Sequence, residues 1–281
     1  MGGGMGDGAD FAAEYFAQDP VVVPGIDVTK PSIARVYDHL LGGKDNYAVD
    51  RELSDVFITR IPGARIIAFD NRRALVRAVG AMSEAGIRQF IDIGSGLPTA
   101  DNVHQVAQRH APESRVVYVD NDPVVLAHGG ALLAENERTV VVQGDLRDPA
   151  GVLEHDEVRE LIDFGRPVGV VLSAILHHVN DDEDPRALMR VWREGVPSGS
   201  HFYISHFRSE RDEESARLEA ILQQSLGRGR WRTDEEILGL FEGLDLLEPG
   251  ILPCALWRTD AAEAELTSWQ RLIAGGLAVL P

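Results

Sequence analysis

The stretch Arg88-Gln89-Phe90-Ile91-Asp92-Ile93 is a short apolar run that breaks at once into Gly94-Ser95-Gly96, and a second run, Val116-Val117-Tyr118-Val119, stops at Asp120. Short runs rich in β-branched and aromatic residues read as buried parallel strands. Glycines directly after such a strand let the backbone approach a ligand, and Pro98-Thr99-Ala100 can open a helix behind them. In parallel sheets, ligands gather at the carboxyl ends of the strands. The glycine loop and Asp120 are therefore expected on one edge, where an ionised carboxylate can accept hydrogen bonds from both hydroxyls of a ribose, at about 1.5–3 kcal/mol each. A nucleoside site uses both features. A tight turn in a doubly wound domain that binds nothing there uses only the glycines.

The loop reads Gly94-Ser95-Gly96-Leu97-Pro98-Thr99, with threonine where a dinucleotide fingerprint carries its third glycine. That glycine permits close helix packing beside a pyrophosphate, so its loss counts against a nicotinamide-dependent oxidoreductase. S-adenosyl-L-methionine has no phosphate. Its adenosine needs an acid after the second strand, and its zwitterionic tail can be held by Asp92 and by backbone groups of the glycine loop.

The 281 residues suffice for one sizeable α/β core and an additional segment. With 27 Lys and Arg against 45 Asp and Glu, the formal charge of −18 opposes nucleic-acid phosphates and anionic bilayers, so neither a nucleic acid nor a membrane is an expected partner. No apolar stretch approaches the ~20 residues that cross a bilayer, and the N-terminus lacks the layout of a signal peptide, which predicts a cytoplasmic protein. The single cysteine, Cys254, is expected to be a buried small apolar residue. His104 and His110 stand at no metal-binding spacing from nearby carboxylates, and no metal is expected.

The glycine-rich start predicts a flexible tail over 1–24. Pro31, Ile33, Val36, Tyr37 and Leu40 follow helical spacing, and Gly42-Gly43 ends that helix. Asp45 or Asn46 can cap a second helix carrying Leu53, Val56 and Phe57, and a third is predicted over 66–85. Residues 25–86 thus read as an N-terminal helical cap and 87–281 as the ligand-binding domain. In the latter, strands are predicted over 88–93, 115–119, 139–143, 168–172 and 200–205, alternating with helices near 99–110, 122–134, 151–162 and 184–194. Helices over 210–226 and 234–242 follow. The stretch 244–258 is interrupted by Pro249-Gly250 and Pro253, which suggests a strand and then an irregular edge, and Ala274 to Leu280 reads as a final strand.

The segment from Pro31 to Tyr47 (PSIARVYDHLLGGKDNY), with Gln89 to Thr99 (QFIDIGSGLPT) and Val117 to Pro123 (VYVDNDP), resembles a bacterial S-adenosyl methyltransferase family formerly grouped as a domain of unknown function. The resemblance runs from about residue 25 to near the end. It implies an α/β, Rossmann-like class I methyltransferase fold: a seven-stranded, mostly parallel sheet whose last strand runs antiparallel, with helices on both faces. It also implies S-adenosyl-L-methionine as cofactor. Carried over residue by residue, Asp92, Gly94, Ser95 and Gly96 hold the methionine portion, Asp120 the ribose, and Asn121 lies beside the adenine. Asp145 resembles the acid that accepts from the adenine amino group, with Leu146 as a backbone donor; a helix cap or turn carboxylate is the alternative for Asp145. Ser173 and Ala174 fall near the sulfonium. Arg35 or Arg72 suits the cofactor's carboxylate, or forms a solvated salt bridge. His177 can take a proton from an oxygen or nitrogen acceptor, or can shape the turn with His178. Tyr37 and Tyr47 can close over the methyl group, or simply pack the cap onto the sheet. A small-molecule methyl acceptor is expected, and a non-catalytic binder of the cofactor or its demethylated product is the alternative. The acceptor and the oligomeric state are not legible.

Overall fold

In the computed structural model, which describes residues 27–99, 101–133, 137–210, 213–260 and 265–281, three helices precede the first strand: α1 (Ile33–Leu40), α2 (Ala48–Arg60) and α3 (Ala64–Glu84). The tail expected over 1–24 lies outside the described residues, as does Ala100. The start of α2 differs from expectation. Neither Asp45 nor Asn46 caps it; Asp50, inside its first turn, accepts from the backbone N–H of Tyr47 at 2.8 Å and of Ser32 at 2.9 Å. Asp45 instead faces His128 at 3.5 Å, and Asn46 donates to the Asp38 carboxylate at 2.8 Å.

Strands and helices then alternate. They are β1 (Gln89–Ile93), α4 (Val103–His110), β2 (Arg115–Asp120), α5 (Pro123–Leu133), β3 (Thr139–Gln143), α6 (Pro149–Glu154), α7 (Asp156–Leu161), β4 (Gly169–Ser173), α8 (Pro185–Glu194), β5 (His201–Phe207), α9 (Glu213–Leu226) and α10 (Asp234–Leu238). Two dipeptide strands, β6 (Asp245–Leu246) and β7 (Leu252–Pro253), precede β8 (Ile273–Val279). The helix expected over 151–162 is two helices, because His155 takes an extended conformation (φ −59°, ψ 132°) between α6 and α7. The one expected over 99–110 begins only at Val103, behind an Asn102 that accepts from Thr99 N–H at 3.0 Å.

The sheet order is β3-β2-β1-β4-β5-β8-β6, parallel from β3 through β5, with β8 antiparallel to β5. It holds eight strands rather than the seven expected. The extra one arises at the edge: β6 pairs with Ala278 and Val279 of β8, and β7 with Ala274 and Gly275. The residues of β8 that pair with β6 and β7 also pair with β5, so both dipeptides occupy the same outer side of β8. They form one edge position, broken where Pro249-Gly250 cannot continue a ladder.

Alternation along the strands divides the core in two. Phe90, Val116, Val171, Tyr203 and Leu277 pack with α1 to α4 and with Leu218 and Leu222 of α9. Ile91, Ile93, Val117, Val119, Val170, Leu172, Phe202 and Ile204 pack against α6, α7, α8 and α10 on the opposite face. Helix α3 carries the fully buried Ala74, Ala78, Val79 and Met82 onto the sheet, so it belongs to the same core as the strands. Among the described residues, no helix is long and apolar enough to cross a membrane.

Candidate active site

At the carboxyl end of β1 the backbone turns sharply, with Gly94 and Gly96 both at φ +67°, in the left-handed region. Gly94 and Ser95 donate to the carbonyl of Val119 at 2.8 and 3.2 Å, which ties the loop to β2. Gly96 N–H donates to Oδ2 of Asp120 at 2.9 Å, and Asp122 N–H donates to Oδ1 at 2.9 Å. The two sequence features that point to a nucleoside are thus bonded to one another. The position a Cβ would take on Gly96 has no atom within 4 Å, so the loop presents open space there.

These groups line a cavity of about 680 Å³. Most of the site residues inferred from sequence border it: Arg35, Tyr37, Asp92, Gly94, Ser95, Gly96, Asp120, Asn121, Asp145, Leu146, Ser173 and His177; Tyr47 does not, and packs instead with Leu97 and Val124. Their chemistry differs. Asp92 is 4% exposed, and no hydrogen bond reaches its carboxylate from any described residue. Burial pushes its pKa up to about 7; the nearby Arg72 opposes the shift and Asp120 adds to it. Burial also raises the pKa of Asp120, against the two backbone N–H groups it accepts from. The hydroxyl of Ser95 is buried without a partner among the described residues. A buried carboxylate, an orphaned hydroxyl and a bare glycine on one loop fit a ligand that brings donors, a positive charge and close backbone contact.

Asp145 is held by Arg147, whose Nε donates to Oδ1 at 2.8 Å and whose Nη2 pairs with Oδ2. This hydrogen bonding, foremost, keeps the Asp145 pKa below the usual carboxylate range, and a bond from the Asn121 side chain adds to it. Ser173, at the end of β4, accepts from Asn71 Nδ2 at 3.2 Å. Asn71 in turn donates to the Tyr37 hydroxyl at 3.0 Å and accepts from Ser205 at 2.6 Å. Ala174 follows at φ +53°, a strained value for a residue with a Cβ, and its N–H donates to Ser205 Oγ at 2.8 Å.

Tyr37 and Arg35 are committed to protein partners. The Tyr37 hydroxyl donates to the carbonyl of Ala68 at 3.0 Å while accepting from Asn71, and burial raises its pKa. It pins α1 to α3. The Arg35 guanidinium is 3% exposed, donates to the Lys30 carbonyl at 2.6 Å and lies over the ring of Tyr47 at 5.1 Å. Its Nε stands 2.9 Å from Oδ2 of Asp50, an ion pair whose angle falls short of a hydrogen bond. Arg72 is the arginine beside Asp92; its Nη2 donates to the carbonyl of Asp101 at 2.9 Å.

His177 is 3% exposed, its Nδ1 has no partner, and its pKa lies well below the ordinary value, first because of burial and then because of His178, His206 and Arg232. The ring is neutral. It meets the edge of Phe207 at 4.6 Å, and Phe207 stacks on Trp231 at 4.8 Å with 6° between the planes.

Sequence reasoning missed Asn71 and Asp122. Asp122 accepts from the hydroxyl of Ser32, just before α1, and from Val124 N–H at 2.8 Å. Its signal was present as Asp122-Pro123, an acidic cap before proline at a helix start. Asn71 carried none, being one polar residue within a long helix.

The sequence profile of a family described as "S-adenosyl methyltransferase" matches residues 21–281. A proposed methyltransferase from Thermobifida fusca YX is 43% identical; the alignment covers 92% of this chain and 97% of that one, with a TM-score of 0.88. A DUF574 family protein from Streptomyces avermitilis MA-4680 is 40% identical over 91% of this chain and 99% of that one, with a TM-score of 0.86. Among curated proteins, none matches. With a profile spanning nearly the whole chain and two solved structures superposing on its fold, the chain belongs to the S-adenosyl methyltransferase family, and its cofactor is S-adenosyl-L-methionine.

Proposed function

We propose that the protein transfers the methyl group of S-adenosyl-L-methionine to a small-molecule acceptor held in the same cavity. The observation that carries this reading is continuity. One cavity of about 680 Å³ is bordered by the glycine loop and Asp120 and also by apolar side chains of α2, α3 and α9. That volume lies within the range of small-molecule sites, about 300–1,000 Å³.

When bound, the cofactor supplies an electrophilic methyl carbon with a neutral thioether as leaving group. In this reading Asp120 accepts from the ribose hydroxyls, and Asp145, Asn121 and Leu146 face the adenine. Asp92 and the loop of Gly94, Ser95 and Gly96 hold the amino-acid tail, with Arg72 rather than Arg35 near its carboxylate, because Arg35 already serves Asp50. Of residues 25–86, the first two helices act as a cap that closes the cavity, while α3 belongs to the core of the sheet. Ser173, tied to Asn71, borders the sulfur. His177 receives the acceptor's proton. A weak base suffices, because an oxygen becomes strongly acidic as it is alkylated, so the proton can leave late. Alignment and exclusion of water remain the main contributions of the protein.

Calorimetry with S-adenosylhomocysteine, followed by methyl transfer assays on acceptor panels, tests the reading. Saturable binding with product formation supports it. Binding without turnover across broad panels favours a non-catalytic binder, and absence of binding overturns both.

A further inference from the structure

Resting on that reading, the cavity also says what kind of acceptor it takes. Away from the glycine loop its wall is apolar: Phe57 and Ile61 at the end of α2, Ile67 of α3, Leu222 and Leu226 of α9, and Trp231. Three of the guanidinium groups in the lining already have carboxylate partners. Arg35 is paired with Asp50 at 2.9 Å, Arg228 with Glu183 at 3.4 Å, and Arg147 with Asp145. Asp92 and Asp120 face the cofactor's share of the space. A charged acceptor in the apolar part would lose its hydration with no counter-charge to replace it.

Two features narrow the class further. The wall includes an aromatic train in which His177 meets the edge of Phe207 and Phe207 stacks on Trp231, a surface suited to a planar ring. Within that train the His177 imidazole borders the cavity yet makes no hydrogen bond to any described residue, and its Nδ1 is enclosed without a partner. Buried polar groups of native proteins are paired; Nδ1 is sealed from the cavity, so Nε2, which is not sealed and has no partner among the described residues, is the nitrogen left to meet a ligand. We propose that the acceptor is an uncharged aromatic hydroxyl compound, with its ring against the Phe57, Leu222 and Phe207 wall, which the buried Trp231 backs, and its hydroxyl hydrogen-bonded to His177. The same contact places the departing proton next to a nitrogen that can take it. In the transfer, an oxygen lone pair forms the new O–CH₃ bond as the C–S bond breaks, the C–S pair stays on sulfur, and the O–H proton passes to His177.

The test uses protein loaded with S-adenosylhomocysteine, whose binding is first established by calorimetry. The probes are 1-naphthol, 1-methoxynaphthalene and 4-hydroxybenzoate, measured by equilibrium dialysis at pH 7.5. The expected results are saturable 1-naphthol binding and at least tenfold weaker 4-hydroxybenzoate binding. His177→Phe is expected to weaken 1-naphthol about tenfold while leaving 1-methoxynaphthalene within twofold, and His177→Gln to restore most of the loss. Because a change at a buried ring can disturb folding, the half-buried Leu226→Lys gives a second arm, expected to weaken 1-naphthol and strengthen 4-hydroxybenzoate. The inference falls if S-adenosylhomocysteine binds but 4-hydroxybenzoate equals 1-naphthol. It also falls if His177→Phe weakens both naphthalenes alike, which would make the ring a packing element only. If S-adenosylhomocysteine itself does not bind, the fault lies with the proposed function.

Discussion

Asp92 combines near-complete burial, the absence of a hydrogen bond and a pKa pushed up to about 7, so ligand binding and stability pull it in opposite directions. A cationic ammonium binds the ionised form. Affinity for S-adenosylhomocysteine should therefore peak near pH 8 and fall about tenfold per unit well below pH 7, with protons released on binding at pH 6. Calorimetry in buffers of different ionisation enthalpy reads both. For the protein without ligand the sign is reversed. An acid whose pKa is raised by folding contributes stability while protonated and loses it as pH rises from near 4 through about 7. Asp92→Asn should accordingly raise Tm at pH 8, raise it less at pH 5, and lose ligand affinity chiefly at pH 8. A pH-independent Tm difference would show that the carboxylate is not the strained group.

At the scale of elements, several polar residues of the segment from Pro31 to Tyr47 are occupied in holding α1 and α2 in place. Asp38 is bonded to Asn46 across a turn, burial pushes its pKa up to about 6, and a Cβ on Gly43 would run into its carboxylate. Ser32 reaches Asp122, and Arg35 is buried against Asp50. Removing one partner of a buried pair costs about 3–5 kcal/mol, chiefly by stranding the other. Arg35→Ala should therefore lower the denaturation midpoint, and adding Asp50→Asn should recover part of the loss. A direct ligand contact at Arg35 would instead reduce affinity and leave the midpoint unchanged. Helix existence was legible here from periodicity, and all five parallel strands were legible within a residue or two from their β-branched runs. The pairing of Arg35 with Asp50 was not, because partners between two elements depend on how those elements dock, and a composition pattern carries no docking angle. The break at His155 escaped for a related reason: both halves of the segment share one apolar face, so the pattern reads through the bend.

For the whole molecule, the edge that carries the glycine loop and the acid was readable because a parallel sheet places the two together whatever else varies, whereas the proposed acceptor wall draws on α2, α3, α9 and Trp231, far apart in the chain. A ligand that binds only the native state adds about 2.7 kcal/mol at a hundredfold excess over Kd. For a chain of 281 residues this corresponds to roughly 5–10 °C in Tm. S-adenosylhomocysteine should produce that shift in a thermal scan and NAD should not. The position of β8 has one more consequence. It lies inside the sheet, between β5 and the β6–β7 edge, although it follows every other described strand along the chain. A nascent chain can pair β1 through β5 early, but it leaves the flank of β5 open until translation delivers residues 273–279. During that interval the half-built sheet offers a row of unpaired backbone groups, an edge open to pairing with a strand of another chain.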